Sequence, residues 1–263
     1  MKTYFFLFVS ILITSSGQAQ VNQNNRKIDF SGEQLVYHME YMNFHVAMLF
    51  FKINSGSEIN DSEHYHLTVS AKSTGKAKFL FSINNVYETV LDKNKMLPVW
   101  AIKKIRQKNI KHELTIKYNH SAHQASLADS IFWFIPSDCY DYFSMLYFLR
   151  TLSPQQLEFF RFFLDSEYLI SEVEVALKSE NEILNVPAGQ FKTTRVEITF
   201  TPWSKEKRPW KTDLLTNRLA KPGSVVTMWF SEDDFRLPLK ISYGNSIVKT
   251  FIVLNSYSRG IKD

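Results

Sequence analysis

Along most of the chain, apolar and polar residues alternate singly in short runs broken by Gly, Asn, Asp and Ser. Successive side chains on a strand point to opposite faces, so this period of two predicts half-buried strands joined by tight turns. The predicted strands cover 35–41, 45–53, 65–71, 77–83, 86–91, 98–107, 111–118, 157–164, 168–177, 183–186, 191–200, 225–230, 237–243 and 247–254. Asn54-Ser55-Gly56, Ser73-Thr74-Gly75, Asp92-Lys93-Asn94-Lys95 and Asp165-Ser166-Glu167 supply turns between them. The segment 157–164 taken alone could instead prolong a preceding helix.

Helical periodicity is convincing once, from Asp138 to Leu152. Met145, Phe148, Leu149 and Leu152 form one apolar stripe, and Phe143, Leu146 and Tyr147 form a second. A helix apolar on two faces is a buried one. Asp138 is the expected N-cap with Asp141 in the first turn, and Ser153-Pro154 ends the helix because proline cannot extend its hydrogen bonds. The fold class that follows is mainly β, with antiparallel curved sheets or a barrel-like sandwich around one buried helix at about 138–152. Residues 201–224 make an unusually long connection, which points to function or flexibility.

The N-terminus changes the setting of this fold. Lys2, the apolar run Tyr4 to Ile13 and the small-x-small site Gly17-Gln18-Ala19 read as a signal peptide over residues 1–19. The run is shorter than the roughly 20 apolar residues of a membrane anchor, and no Cys near the cleavage site suggests a lipid anchor. The expectation is a single exported domain over 20–263, periplasmic or extracellular. Cys139 is the only cysteine, so stability must come from the core rather than from an internal disulfide. Its aromatic neighbours predict a buried, inert thiol.

The formal net charge of +5 is mild, and the basic residues gather at 103–111 and 205–221. Both clusters are expected to be solvated faces. An exported chain without a recognisable binding motif is a poor nucleic-acid partner. Phe, Trp and Tyr make up 15% of the chain, 22 of them Phe, which predicts an aromatic-rich core or an aromatic-lined cavity.

The order of short motifs adds a resemblance. Gly32-Glu33-x-Leu35-x-Tyr37, Leu97-Pro98, Asp141-x-x-Ser144-x-x-Tyr147-x-x-Arg150, Pro187-Ala188-Gly189-x-Phe191, and Trp229-Phe230-Ser231-Glu232-Asp233 before Arg236-Leu237-Pro238 follow one another in a recognisable sequence. The chain resembles the exported bacterial family known as domain of unknown function 3108 over nearly all of its mature length. The resemblance implies a mostly antiparallel β protein of the bacterial envelope and no particular activity. The Lys- and Trp-rich loop at 201–224 departs from the family's usual pattern.

Candidate chemistry is sparse. Arg150 shares a helix face with Phe143 and Tyr147, and a buried guanidinium needs a partner. Asp141, nine positions away and half a turn round, cannot supply it. Arg150 therefore bonds strand carbonyls or a carboxylate across the core, or it anchors an anionic head group in an apolar pocket with Tyr147 and Phe143. Within the long loop, Trp203 and Trp210 flank Lys205, Lys207 and Arg208, a composition suited to an anionic membrane surface.

His64-x-His66 puts two imidazoles on one strand face, where Glu63, His38 or His45 would complete a zinc site. Without an identifiable third ligand the pair is read as an ordinary polar face, and no metal or cofactor is assigned. The Gly-x-Ser-x-Gly elbow is absent, Ser73-Thr74-Gly75-Lys76 lies in a turn, and Glu232-Asp233-Asp234 lies between strands as turn residues do. The leading functional reading is a non-enzymatic envelope protein that binds an apolar or lipid-like ligand or handles envelope components. An assembly module with a solid core, and a hydrolase or metalloenzyme of unfamiliar spacing, are the alternatives.

Overall fold

The alternation along the chain becomes one long sheet whose inner face is continuous. The computed structural model describes residues 26–54, 63–75, 78, 82–107, 109–221, 223–244 and 249–259. The signal peptide expected over 1–19, the turn residues 55 and 56, and most of the strand expected over 77–83 lie outside these. The first meander runs β1 (Gln34–Tyr41), β2 (Phe44–Asn54), β3 (His64–Ser73), β4 (Asn84–Asp92), β5 (Pro98–Gln107), β6 (Ile110–Asn119), β7 (Gln124–Leu127) and β8 (Ile131–Phe134). After it come β9 (Cys139–Tyr140), the helices α1 (Tyr142–Thr151) and α2 (Pro154–Leu157), and the long hairpin strands β10 (Phe159–Asp165), β11 (Ile170–Val186) and β12 (Gly189–Pro202). Helix α3 (Leu214–Leu219) precedes β13 (Val225–Ser231), β14 (Pro238–Gly244) and β15 (Lys249–Ser258).

The sheet order is β8-β7-β6-β5-β4-β3-β2-β1-β15-β14-β13-β12-β11-β10-β9. Each half is a meander, and β1 joins them by pairing with both β2 and β15. All pairs are antiparallel except β9 with β10. In β3, Tyr65, Leu67, Val69 and Ala71 point into the core while the residues between them are half-buried or exposed. The sheet curves until its edges, β8 and β9, are linked through 135–138, and side chains finish the seam. Trp133 lies edge-on to Tyr168 at 5.6 Å, Phe134 stacks on Trp203 at 5.7 Å, and Ala125, Trp133, Ile135, Cys139 and Ile170 share a small second core. The mainly β, curved, antiparallel expectation is thus met by an open sheet wrapped on itself.

Inside the wrap lies α1, every residue of which is buried except the half-buried Phe143. Its cap is Asp141, a correction to Asp138. Asp141 Oδ1 accepts the Phe143 and Ser144 amide protons at 3.0 and 2.6 Å, and Ser144 Oγ accepts the Asp141 amide at 2.7 Å. That reciprocal pair satisfies amides that would otherwise be orphaned at the helix start. Asp138 sits in the preceding turn at φ +53. Proline stops the helix as expected and opens α2, after which 159–165 forms a strand and does not extend the helix.

Three further departures concern short or long elements. β7 and β8, four residues each, were not expected as strands. The segments 168–177 and 183–186 form one strand, β11, which turns through Pro187-Ala188 into β12. Within the long connection, α3 forms from 214 to 219. Among the described residues, no helix is long and apolar enough to cross a membrane.

Candidate functional site

Between α1 and the sheet a small cavity of about 40 Å³ remains. Phe143 and Leu146 of α1 form one wall, with Phe51, Phe200, Met228 and Ile241 from the sheet opposite. Leu215, Thr216 and Leu219 of α3 also line the cavity, so a six-residue helix inside the long loop serves as its cover. Nearly every lining group is a hydrocarbon or an aromatic ring, and such a cavity stays dry when empty.

The cover is fastened by a buried polar cluster. Asp213 caps α3 by accepting the Thr216 amide at 2.8 Å and the Thr216 hydroxyl at 2.5 Å. The same carboxylate accepts from Lys103 Nζ of β5 at 2.7 Å and from the Tyr87 hydroxyl of β4 at 2.9 Å. Lys103 also binds Glu167, and the Thr212 hydroxyl lies 2.8 Å from either Glu167 oxygen. Lys103, Glu167, Asp213 and Thr216 are all buried. Burial by itself would lower the Lys103 pKa, but Asp213 and Glu167 overrule it and raise it. Burial pushes Asp213 upward, and the Lys103 charge with the bonds from Lys103 and Thr216 brings it down to about 2. Both partners are therefore ionised at neutral pH. Lys103 is a correction to the expected solvated basic cluster, since it shares the inner face of β5 with Ala101 and Ile105.

Near this cluster, burial raises the Asp165 carboxyl to about 7 although its Oδ1 accepts the Tyr168 amide at 2.8 Å. The Cys139 thiol is buried and pushed upward for the same reason, which makes it unreactive.

The residues singled out in the sequence divide between several places. Arg150 is fully buried and its guanidinium grips both oxygens of Glu33, at 2.7 and 2.6 Å. It also donates to the Arg236 and Phe235 carbonyls at 3.1 and 3.0 Å, and Tyr147 donates to Glu33 at 3.1 Å. Of the three helix residues, only Phe143 borders the cavity, while Arg150 and Tyr147 meet over Glu33. In the loop, Trp203, Lys205 and Lys207 are exposed. Arg208 and Trp210 are half-buried and fasten the loop to the neighbouring turn, Arg208 through the Glu167 and Ser166 carbonyls and Trp210 against the Tyr168 ring.

Among the described residues, three metal-ligating side chains come together only at His38, Glu40 and His45, without His64 or His66. Asp233 acts as a turn residue, its Oδ1 accepting from Phe235 N, Arg236 N and Ser231 Oγ. Glu33, Lys103, Glu167 and Asp213 were missed as partners. The inward register of Lys103 in Ala101-x-Lys103-x-Ile105 was the available signal for one of them.

A β-barrel-like protein from Brucella abortus, of the domain of unknown function DUF1849, superposes with a TM-score of 0.59 at 8% identity, covering 88% of this chain and 98% of that one. That likeness shows the fold alone. A hypothetical protein of Chlamydia trachomatis has a TM-score of 0.39 at 11% identity over 89% of each chain, too distant to carry an argument. No curated protein matches the sequence. The family model for the protein of unknown function DUF3108 matches residues 36–249, and the chain belongs to that family.

Proposed function

We propose that this is an exported, non-enzymatic envelope protein that binds an apolar, acyl-chain-like ligand in the cavity between α1 and the sheet, with α3 as the cover. The observation that carries the reading is the apolar wall of the cavity. Its free space is about 40 Å³, smaller than a formed ligand pocket, but its walls are Phe, Leu, Met and Ile side chains, and an acyl chain enters by displacing α3 from this apolar wall. An unfilled apolar cavity costs stability in proportion to its volume, so an occupant that restores van der Waals contact is favoured. Export rests on the leader sequence at 1–19. A second surface feature favours contact with an anionic membrane as the source or destination of such a ligand: exposed Trp203 stands beside exposed Phe132 and Phe134, with Lys205 and Lys207 following in the loop.

The test is displacement of a fluorescent fatty acid, with Met228→Trp and Leu146→Trp as variants that fill the cavity. Wild type is expected to bind the probe, and each variant to lose at least about tenfold in affinity while keeping its far-ultraviolet circular dichroism, because an indole occupies the space the chain needs. Absence of binding by the wild type, or equal binding by filled variants, would reject the reading in favour of a solid-core interaction module.

A further inference from the structure

The β1–β2 hairpin gathers two imidazoles and a carboxylate that the cavity does not use. Its two-residue turn, Met42-Asn43, has φ +49 and +64, the left-handed pair of a type I′ turn. This turn fixes the register so that Glu40 faces His45 across the ladder, with Tyr41 facing Phe44. His38 lies two residues before Glu40 on β1 and therefore shares its face. Immediately beyond, the pairing skips a residue, so that Met39 faces Ala47 and Val46 has no opposite number. The hairpin is thus pinned on both sides of the Glu40–His45 pair, by a left-handed turn and by a bulge.

His38 Nε2 and His45 Nε2 lie 3.0 and 3.1 Å from the same oxygen, Glu40 Oε1, and their ring centroids are 4.5 Å apart. All three ligand atoms fall within 4.8 Å of one another. Zinc bonds to nitrogen and carboxylate oxygen of about 2.0–2.2 Å set the ligand atoms of a tetrahedral site roughly 3.4 Å apart. The three groups therefore need only small side-chain rotations to surround one ion. Their exposure is graded, with the His38 side chain 8%, Glu40 29% and His45 65% accessible, so one ligand is fixed in the sheet and the entrance lies beside His45.

From this geometry we infer that His38, Glu40 and His45 form a binding site for zinc or a similar imidazole-favouring divalent transition ion. Hard cations such as calcium and magnesium take mainly oxygen ligands, of which this set supplies only the Glu40 carboxylate. Each imidazole coordinates through Nε2, its proton moving to Nδ1 or to solvent, and the two contacts to Glu40 are exchanged for bonds to a dication. Two histidines and one carboxylate leave the fourth tetrahedral position to water. The site is independent of the cavity and of what the cavity binds.

Zinc chloride titrated against a chromophoric chelator, using protein that carries no polyhistidine tag, tests the site. One equivalent is expected to bind with micromolar or tighter affinity. Glu40→Gln and His45→Ala should each weaken binding at least about tenfold, since even outer-shell partners of metal ligands are worth that much. The double variant His64→Ala/His66→Ala serves as the control and should bind as the wild type does. Glu40 and His45 are accessible, so their variants should keep the wild-type melting temperature, and His45→Gln provides a second, more conservative variant. Failure of the wild type to bind zinc at micromolar concentration, or undiminished binding by Glu40→Gln and both His45 variants, would overturn the assignment.

Discussion

Glu33 and Arg150 meet from opposite ends of a long sequence separation, one just before β1 and the other in the last turn of α1. Taking either charge from water costs several kcal/mol, and only a bidentate contact with further bonds to the remaining donors and acceptors compensates for it. Here two guanidinium–carboxylate bonds, two backbone carbonyls and the Tyr147 hydroxyl complete the set, with the Phe30 ring 4.4 Å from the guanidinium carbon. The need for a partner was legible from a lone Arg on an apolar helix face, but its identity was not, because periodicity carries no information across more than a hundred residues of chain. Arg150→Met should destabilise by roughly 3–5 kcal/mol, the cost of leaving a buried carboxylate unpaired. Urea unfolding measures this, and adding Glu33→Leu should recover part of the loss because no charge is then stranded. An unchanged unfolding midpoint in the single variant would show that the pair does not hold α1 in place.

At the scale of elements, α3 explains both what the sequence disclosed and what it withheld. Strong alternation made the longer strands of both meanders readable, and Pro154 fixed the end of α1. Six residues do not complete two helical turns, so α3 gave too short an apolar pattern to register within 201–224. The four-residue strands β7 and β8 were lost in the same way. Helix α3 is held by Asp213 through its own N-cap and through Lys103, and isolated helices of this length do not persist in water. Asp213→Ala should therefore speed hydrogen exchange across 212–221 by about fivefold or more, as loss of a cap alone is worth on the order of 1 kcal/mol, while β3 and β4 keep their protection. The pH dependence has a definite sign: with Asp213 depressed from 3.8 to about 2, its contribution is fully present above pH 4 and is lost as pH falls through about 2. Exchange rates in 212–221 equal to those of the wild type would mean that packing of Leu215 and Leu219 alone retains the cover.

For the whole molecule, the seam where the wrapped sheet meets itself is also where apolar rings reach the surface. Phe132 is 54% exposed, Phe134 56% and Trp203 48%, and the last two stack face to face at 5.7 Å. Lys205 and Lys207 are exposed just along the chain, so rings and amines occur together as they do in proteins that rest on acidic bilayers. The two tryptophans of the loop are not equivalent: Trp203 is available to lipid, while Trp210 is half-buried against Tyr168 at 5.9 Å and contributes to anchoring the loop. Co-sedimentation with vesicles containing acidic phospholipid should therefore detect binding that weakens as salt shortens the screening length toward and below about 8 Å. Trp203→Ala should reduce it further, since the indole supplies much of the apolar contact, and Lys205→Gln/Lys207→Gln should flatten its salt dependence. Trp210→Ala should lower thermal stability more than it lowers vesicle binding. If the wild type fails to sediment with acidic vesicles, or if Trp203→Ala binds as well as wild type, the aromatic seam is only a closure of the sheet and the proposed ligand would have to reach the cavity by a route other than membrane contact.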